Sequence, residues 1–406
     1  MHASSAITLT QPMASPLSYS YFSLIFFLLI SLLGTSSSAS SSTSSHRLLT
    51  PERANADRFK QWLAWNVKNH RQKSALRSEL AAAQLAPNTT WGALDWQLRK
   101  AEENTVEVTV SQDGTGDYKS VKEALDTIPL FNTRRVIVKI KPGVYWEKIS
   151  IPRALPFVTF FGDASDPPTI TGNDTASVTG SGGTPLRTFQ SATVVVDANY
   201  FVAINIRFEN TAPHEVGFRG QQAVALRVSG NKAAFYNCSF IGSQDTLYDH
   251  KGLHYFNHCF IQGSVDFIFG YGRSLYENCY LNSVAKKVAS VTAQKRTESS
   301  MASGFSFKNS TVTGTGLIYL GRAWGDYSRV VFSYTFMDKL VLPQGWSDWG
   351  KPKRDPRRVY YGEYNCRGPG ANTTGRVAWA RILSDEEAQP FLGTYYIDGD
   401  SWLLSP

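Results

Sequence analysis

The chain has 406 residues, 42% hydrophobic and 13% aromatic, enough to build a sizeable core in one large repeat domain or two ordinary ones. Its net charge of +8 owes nothing to the first 39 residues, which hold no Lys, Arg, Asp or Glu, so the folded part is built to face a polyanion. No dense Lys/Arg tract marks a nucleic-acid arm and no Cys/His spacing resembles a metal site, which sets nucleic acid and metal aside and puts acidic polysaccharide first.

In chain order, Tyr21 to Leu33 is a 13-residue apolar run followed by Gly34 and a Ser-rich stretch. That length suits a signal-peptide core and is short for a membrane span, so residues 1–39 read as a signal peptide cleaved after Ala39. The segment before the run carries no Lys or Arg, which keeps a membrane anchor open as the alternative. Residues 40–105 read as a Ser-rich linker and then a short helical segment, from about Pro51 to Glu103, that covers the first coil of the next region. From Val106 the texture is β. Short apolar runs alternate with Gly, Asn, Asp and Ser turns: Val106–Val110, Val136–Ile140, Val158–Phe161, Ala192–Val196, Phe201–Phe208, Ala223–Val228 and Ala233–Ile241. One helix interrupts them over Lys119–Thr127, capped by Ser120, and another forms around Asp385–Phe391. Beyond about Leu342 the pattern fades into loops containing Trp346 and Trp349.

A period runs through the β region. Cys238, Cys259 and Cys279 recur at intervals of 21 and 20 residues, each after an aromatic-containing step. Asp245 and Asp266 are 21 apart, and Gln222 and Gln244 are 22 apart. A fixed interval near 20 signals stacked repeats, and the reading that explains most is a parallel β-helix over about 106–345. Residues one period apart then lie on neighbouring strands, roughly 4.8 Å from each other. For the cysteines two readings stay open: a Cys238–Cys259 disulfide, or an inward stack of thiols. Asn210, Asn237, Asn278 and Asn309 end strand-like runs, where asparagine stacks or tolerates a left-handed turn.

The same interval brings two carboxylates and two amides to one patch. Close carboxylates do not both ionise easily, so one keeps a proton while the other serves as base or nucleophile. An arginine selects which one is charged, and Arg322 in Leu320-Gly-Arg-Ala-Trp324 is the candidate, with Trp324 placed to stack on a sugar face. Amides such as Gln222 and Gln244 can donate to an oxyanion without adding charge.

These residues also resemble a family. Gly143-Val-Tyr-Trp-Glu147, Thr188-Phe-Gln-Ser-Ala-Thr-Val194, Gln222-Ala-Val-Ala-Leu226, Gly242-Ser-Gln-Asp-Thr-Leu-Tyr248, Gly263-Ser-Val-Asp-Phe-Ile-Phe-Gly270 and Leu320-Gly-Arg-Ala-Trp324 are similar, in order, to the motifs of plant pectinesterases. The resemblance covers about 106–404 and implies a right-handed parallel β-helix, all-β apart from the N-terminal helical segment and the C-terminal loops and helix. Residues 106–406 would be the catalytic domain. It also implies hydrolysis of the methyl esters of galacturonate units in homogalacturonan, with release of methanol and no cofactor. By the resemblance Asp266 is the nucleophile, Asp245 the acid/base, Gln244 and Gln222 the oxyanion donors, and Arg322 the partner of Asp266. Thr188, Trp324, Tyr248 and Phe269 would contact the sugar chain. Gly143 and Glu147 read as structural, a turn and a fixed carboxylate.

Two departures stand out: the usual Gly-Arg-Pro-Trp is Gly-Arg-Ala-Trp here, and only 56 residues separate Asp266 from Arg322. The region before Val106 is too short for the large inhibitor-like pro-region of many relatives. The expected protein is therefore a secreted monomer of the plant cell wall that binds pectin and admits a proteinaceous inhibitor as partner. The sequons at Asn88, Asn173, Asn237, Asn309 and Asn372 accord with export, Asn237 least so because its coil is expected to be buried. The competing readings are another pectin-active β-helix enzyme, a lyase or glycosidase, and a wall protein that binds pectin without turnover.

Overall fold

A computed structural model describes residues 94–213, 219–350, 355 and 358–404. The signal segment, the linker, Asn88 and most of the expected N-terminal helical segment lie outside the described residues. The part of that segment within them is one helix, Trp96–Glu102, capped by the Asp95 side chain. Among the described residues no helix is long and apolar enough to cross a membrane.

From Val106 onward the chain winds as a right-handed parallel β-helix with three faces. The first face has eleven parallel strands, from Val106–Val110 through Val136–Ile140 and onward to Tyr360–Tyr364 and Arg381–Ile382. The second runs from Val144–Trp146 through Thr169–Gly172, Arg207–Asn210 and Ser239–Ile241 to Phe260–Gly263. The third runs from Ile149–Ile151 through Val194–Val196, Leu226–Val228 and Leu247–Asp249 to Val265–Gly270. Two long strands, Tyr280–Gln294 and Thr311–Arg322, bend across the corner and join the second and third faces in one hydrogen-bonded sheet.

The interior is a set of columns, because parallel strands in register stack like on like. Phe235, Phe256, Tyr276, Phe307 and Phe332 form a stacked ladder with ring centroids 4.5–4.8 Å apart, matching the strand spacing. Cys238, Cys259 and Cys279 form a neighbouring column and are free thiols. The Cys238–Cys259 disulfide is therefore not made, and the thiol stack is the alternative that holds. Each thiol already has a partner: Cys259 Sγ donates to the Phe235 carbonyl at 3.4 Å and Cys279 Sγ to that of Phe256 at 3.5 Å.

Corners explain where the sequence-based strand limits shift. The expected strand Phe201–Phe208 is two, Val202–Ile204 and Arg207–Asn210, split by Asn205 at φ 58°. Likewise Ala233–Ile241 splits at Asn237, φ 52°. The column continues through His258, Asn278, Asn309, Tyr334 and Asn365, all between φ 48° and 56°. Asn210, expected in this set, instead ends its strand at the far side of the second face, with its amide on the Asp174 carbonyl. Asn237 is buried, whereas Asn173, Asn309 and Asn372 are exposed. The coil also outlasts its visible period: Trp346–Ser347 pairs with Gly321–Arg322, and Tyr360–Tyr364 with Arg329–Ser333.

At the first turn of the coil, helix Val121–Asp126 carries a complete capping box between Ser120 and Glu123. Its buried Val121, Ala124 and Leu125 pack into the core with Val110, Val138 and Ile140. Glu147 accepts from the Val121 and Lys122 amides at 3.0 and 2.9 Å, which makes it the fixed carboxylate expected and places an anion at a helix N-terminus. The C-terminal helix is Asp385–Ala388, continued by a 3₁₀ turn over Gln389–Phe391.

Candidate active site

The site begins at the corner between the second and third faces. Asp245 and Asp266 both turn the chain there, at φ 62° and 51°. Register ties them together: Leu247 pairs with Ile268 and Tyr248 with Phe269, and the Asp245 amide donates to the Val265 carbonyl at 3.0 Å. The 21-residue interval therefore does place the two carboxylates on adjacent rungs, roughly 4.8 Å apart along the coil.

The next rung breaks the register. Between Val265 and Ile268 the pairing with strand Tyr280–Gln294 shifts by one residue, a β-bulge that re-aims the Asp266 side chain. The Asp266 amide donates to Ser290 Oγ at 3.3 Å, and the Ser290 hydroxyl donates in turn to Asp266 Oδ1. Arg322 completes the shell with a fork: its Nε donates to Oδ1 at 3.0 Å and its Nη2 to Oδ2 at 2.5 Å. The opposite face of the guanidinium lies 4.1 Å from the Trp349 ring centroid. Asp266 is buried, and its carboxylate is held by three donor atoms from two residues, Ser290 and Arg322.

Asp245 has none of this support. Burial, and then the negative charge of Asp266, push its carboxyl well above the ordinary carboxylate range, against the pull of Arg322. Burial also opposes the charge of Arg322, yet the hydrogen bonds and charge of Asp266, with the charge of Asp245, leave it more basic than an ordinary arginine. The result is an asymmetric pair, one carboxylate in an ion pair and one carboxyl that keeps its proton.

The two glutamines stand in line, as their interval suggests. The Ala223 amide donates to the Gln244 carbonyl at 3.1 Å, the same offset by which the Asp245 amide meets the Val265 carbonyl, so Gln222 and Gln244 lie opposite each other on adjacent rungs. Both are half-buried, next to the aspartate corner. Among the described residues neither side-chain amide is tied to another protein group, which leaves their N–H donors available.

The sugar-contact candidates form the floor of the third face. Tyr248 and Phe269 stack at 4.2 Å, and Phe269 meets Trp324 at 6.2 Å. Burial first, then Tyr271, pushes the Tyr248 hydroxyl up to about 12, so it stays a neutral donor. Thr188 lies half-buried on the short helix Arg187–Gln190. It is linked to that floor through Phe189, whose ring is edge-on to Tyr248 at 6.2 Å and to His250 at 5.3 Å and lies under Arg227 at 3.7 Å. Sequence reasoning missed Ser290 as a site residue, together with Phe189, and it left Trp349 in a loop. Ser290 falls 24 residues after Asp266, out of step with the period because of the bulge.

A family model described as Pectinesterase matches residues 107–400. The chain belongs to the pectinesterase family. It is 47% identical over 298 residues to Pectinesterase QRT1 of Arabidopsis thaliana, covering 73% of this chain and 78% of that protein. It is 39% identical to Probable pectinesterase 49 of the same plant over 359 residues, 88% of this chain and 92% of that one. Among solved structures, the pectin methylesterase from carrot superposes with a TM-score of 0.67 at 36% identity, covering 73% of this chain and 94% of that one. A pectin methylesterase solved in complex with a hexasaccharide superposes with a TM-score of 0.62 at 26% identity, covering 73% of this chain and 98% of that one. Matches of this coverage make the chain a carboxylic ester hydrolase of the pectinesterase type and agree with the β-helix architecture.

Proposed function

We propose that Asp266 and Asp245 carry out the hydrolysis of methyl-esterified galacturonate units in pectin, and that the aromatic floor of the third face seats the sugar chain. The observation that carries this reading is the asymmetry of the pair: Asp266 is gripped by the Arg322 fork and Ser290, while Asp245, on the adjacent rung, is pushed toward its protonated form. In the first step an Asp266 carboxylate oxygen attacks the ester carbonyl carbon, and the oxyanion that forms takes donors from Gln222 and Gln244. The bond to the methoxy group breaks as Asp245 gives its proton to the departing methanol, leaving an Asp266 acyl anhydride. In the second step Asp245, now a carboxylate, takes a proton from water as that water attacks the acyl carbon. The anhydride opens, Asp266 returns to its ion pair with Arg322, and a free galacturonate is released.

Binding of pectin fits the net charge of +8 and accords with the oligosaccharide complex of the similar esterase. The substrate is a plant cell-wall polymer, which implies action outside the cell, with the apolar run at Tyr21–Leu33 as the export signal. Methanol release from methylated pectin tests the reading against its competitors. An esterase gives methanol, a lyase gives unsaturated ends, and a binder gives neither. Asp266→Asn should abolish methanol release while sugar binding persists; a variant that turns over normally removes Asp266 from the nucleophile role.

A further inference from the structure

Beyond the catalytic corner, the third face carries two outward columns across its rungs. Residues two apart on a strand share a face, so each rung contributes a pair: Arg227 and Ser229, Tyr248 and His250, Phe269 and Tyr271, Ala293 and Lys295, Arg322 and Trp324. The inner column is fixed by the pairings of Arg227 with Tyr248, Tyr248 with Phe269, and Phe269 with Ala293. The outer one is set by the ring contact of His250 with Tyr271 at 5.9 Å and by the Lys295 amide bond to the Gly270 carbonyl at 2.7 Å, which places Lys295 opposite Tyr271.

Three of these residues are fixed cations, and two are already neutralised. Arg227 pairs with Asp197 at 3.0 Å and Arg322 with Asp266 at 2.5 Å. Lys295 has no carboxylate partner among the described residues. Its ammonium lies instead 4.3 Å from the Trp324 ring centroid and 5.4 Å from that of Tyr271, half-buried over two aromatic faces. His250, next in the same column, adds no charge: burial, with Arg227 and Lys251, pushes it down to about 4. A half-buried ammonium held over aromatic rings and left without an anion is a receptor for one.

We propose that Lys295 is a specificity-determining residue of the substrate groove, which binds the free carboxylate of an already de-esterified galacturonate flanking the ester under attack. This rests on the pectin esterase reading of the aspartate corner. Tyr271 lies five residues along the strand from Asp266, at roughly 3.3 Å per residue. Lys295 stands one rung further on, so the sugar it meets is a neighbour of the reacting unit and not that unit itself. Each turnover creates the group that Lys295 recognises, and the enzyme therefore favours esters beside carboxylates it has already exposed.

The test compares purified wild type, Lys295→Gln and Lys295→Arg on two pectins, one fully methyl-esterified and one partly saponified by alkali. For methanol release, the Lys295→Gln variant should lose about five- to tenfold more kcat/KM on the saponified pectin than on the esterified one. That difference should close as salt is raised, and Lys295→Arg should restore it. Equal losses on both pectins overturn the proposal, since they mean that Lys295 only seats Trp324; no loss on either overturns it as well. A second measurement does not depend on turnover. Calorimetric binding of a fully de-esterified oligogalacturonate should weaken about fivefold in Lys295→Gln, and an unchanged Kd overturns the proposal. Wild type that binds this ligand through Lys295 but releases no methanol sinks the esterase reading and leaves the carboxylate site standing.

Discussion

Two corners of the coil use the same backbone device to opposite ends. At the corner between the first and second faces, seven residues from Asn205 to Asn365 adopt left-handed conformations. The first six donate their amides to the carbonyl of the next rung at 2.9–3.0 Å. Side chains reinforce the column in places, as where the Asn237 amide donates to Asn205 Oδ1 at 2.8 Å. At the corner between the second and third faces, Asp245 obeys the same rule, while the Asp266 amide meets a side chain of the next rung, Ser290 Oγ, at 3.3 Å. The repeated corner closes its own hydrogen bonds and needs nothing else. The catalytic corner occupies two rungs, brings two carboxyl groups together, and depends on Arg322 and Ser290 from further along the chain. The same left-handed turn thus serves stability where it is repeated and chemistry where the repeat is interrupted.

That contrast can be broken at several points. The largest effect is expected at Asp266→Asn, which should cut methanol release by about 10⁴-fold while far-UV circular dichroism stays unchanged. Next comes Ser290→Ala, which removes the hydroxyl that accepts from the Asp266 amide and donates to its carboxylate. Steady-state kinetics should show kcat down roughly tenfold with little change in KM, because Ser290 positions Asp266 and does not touch the sugar.

Asp245→Asn should sharpen the comparison through stability. The folded protein raises the Asp245 carboxyl above its ordinary 3.8, so its contribution to stability is complete below that value and lost as pH climbs through the folded one. An amide does not titrate, so at neutral pH the variant should melt about 2–4 °C higher than wild type. Scanning calorimetry should show that gain shrink toward zero as pH falls to the carboxylate range; a gain independent of pH would contradict the raised carboxyl. The smallest effect belongs to the structural corner. Asn309, exposed at φ 51°, should cost about 1 kcal/mol on substitution by Ala in chemical denaturation, less by Gly, with activity intact.

Much of this was legible in the sequence because the coil is periodic. The interval between Asp245 and Asp266 fixed their adjacency, and the recurring Asn and Cys fixed the rungs. What escaped was whatever departs from the period. Ser290 is displaced by the bulge. The late strands were hidden because insertions of unequal length separate Arg322 from Trp346 and Ser333 from Tyr360. The cysteine spacing allowed either pairing or stacking, since neighbouring rungs satisfy the distance for both. Nor did spacing alone forecast the split of Phe201–Phe208: an apolar run long enough for one strand conceals a corner when its turning residue is an Asn at position 205.

The helix over Val121–Asp126 has a consequence of its own. A parallel coil is an open-ended stack, and an uncovered terminal rung would offer its apolar lumen to the next molecule. With Val121, Ala124 and Leu125 inserted against the first strands and Glu147 pinning the helix from a later turn, that end is stoppered by the chain itself. The lumen at that end is thus closed to stacking by a second copy of the coil.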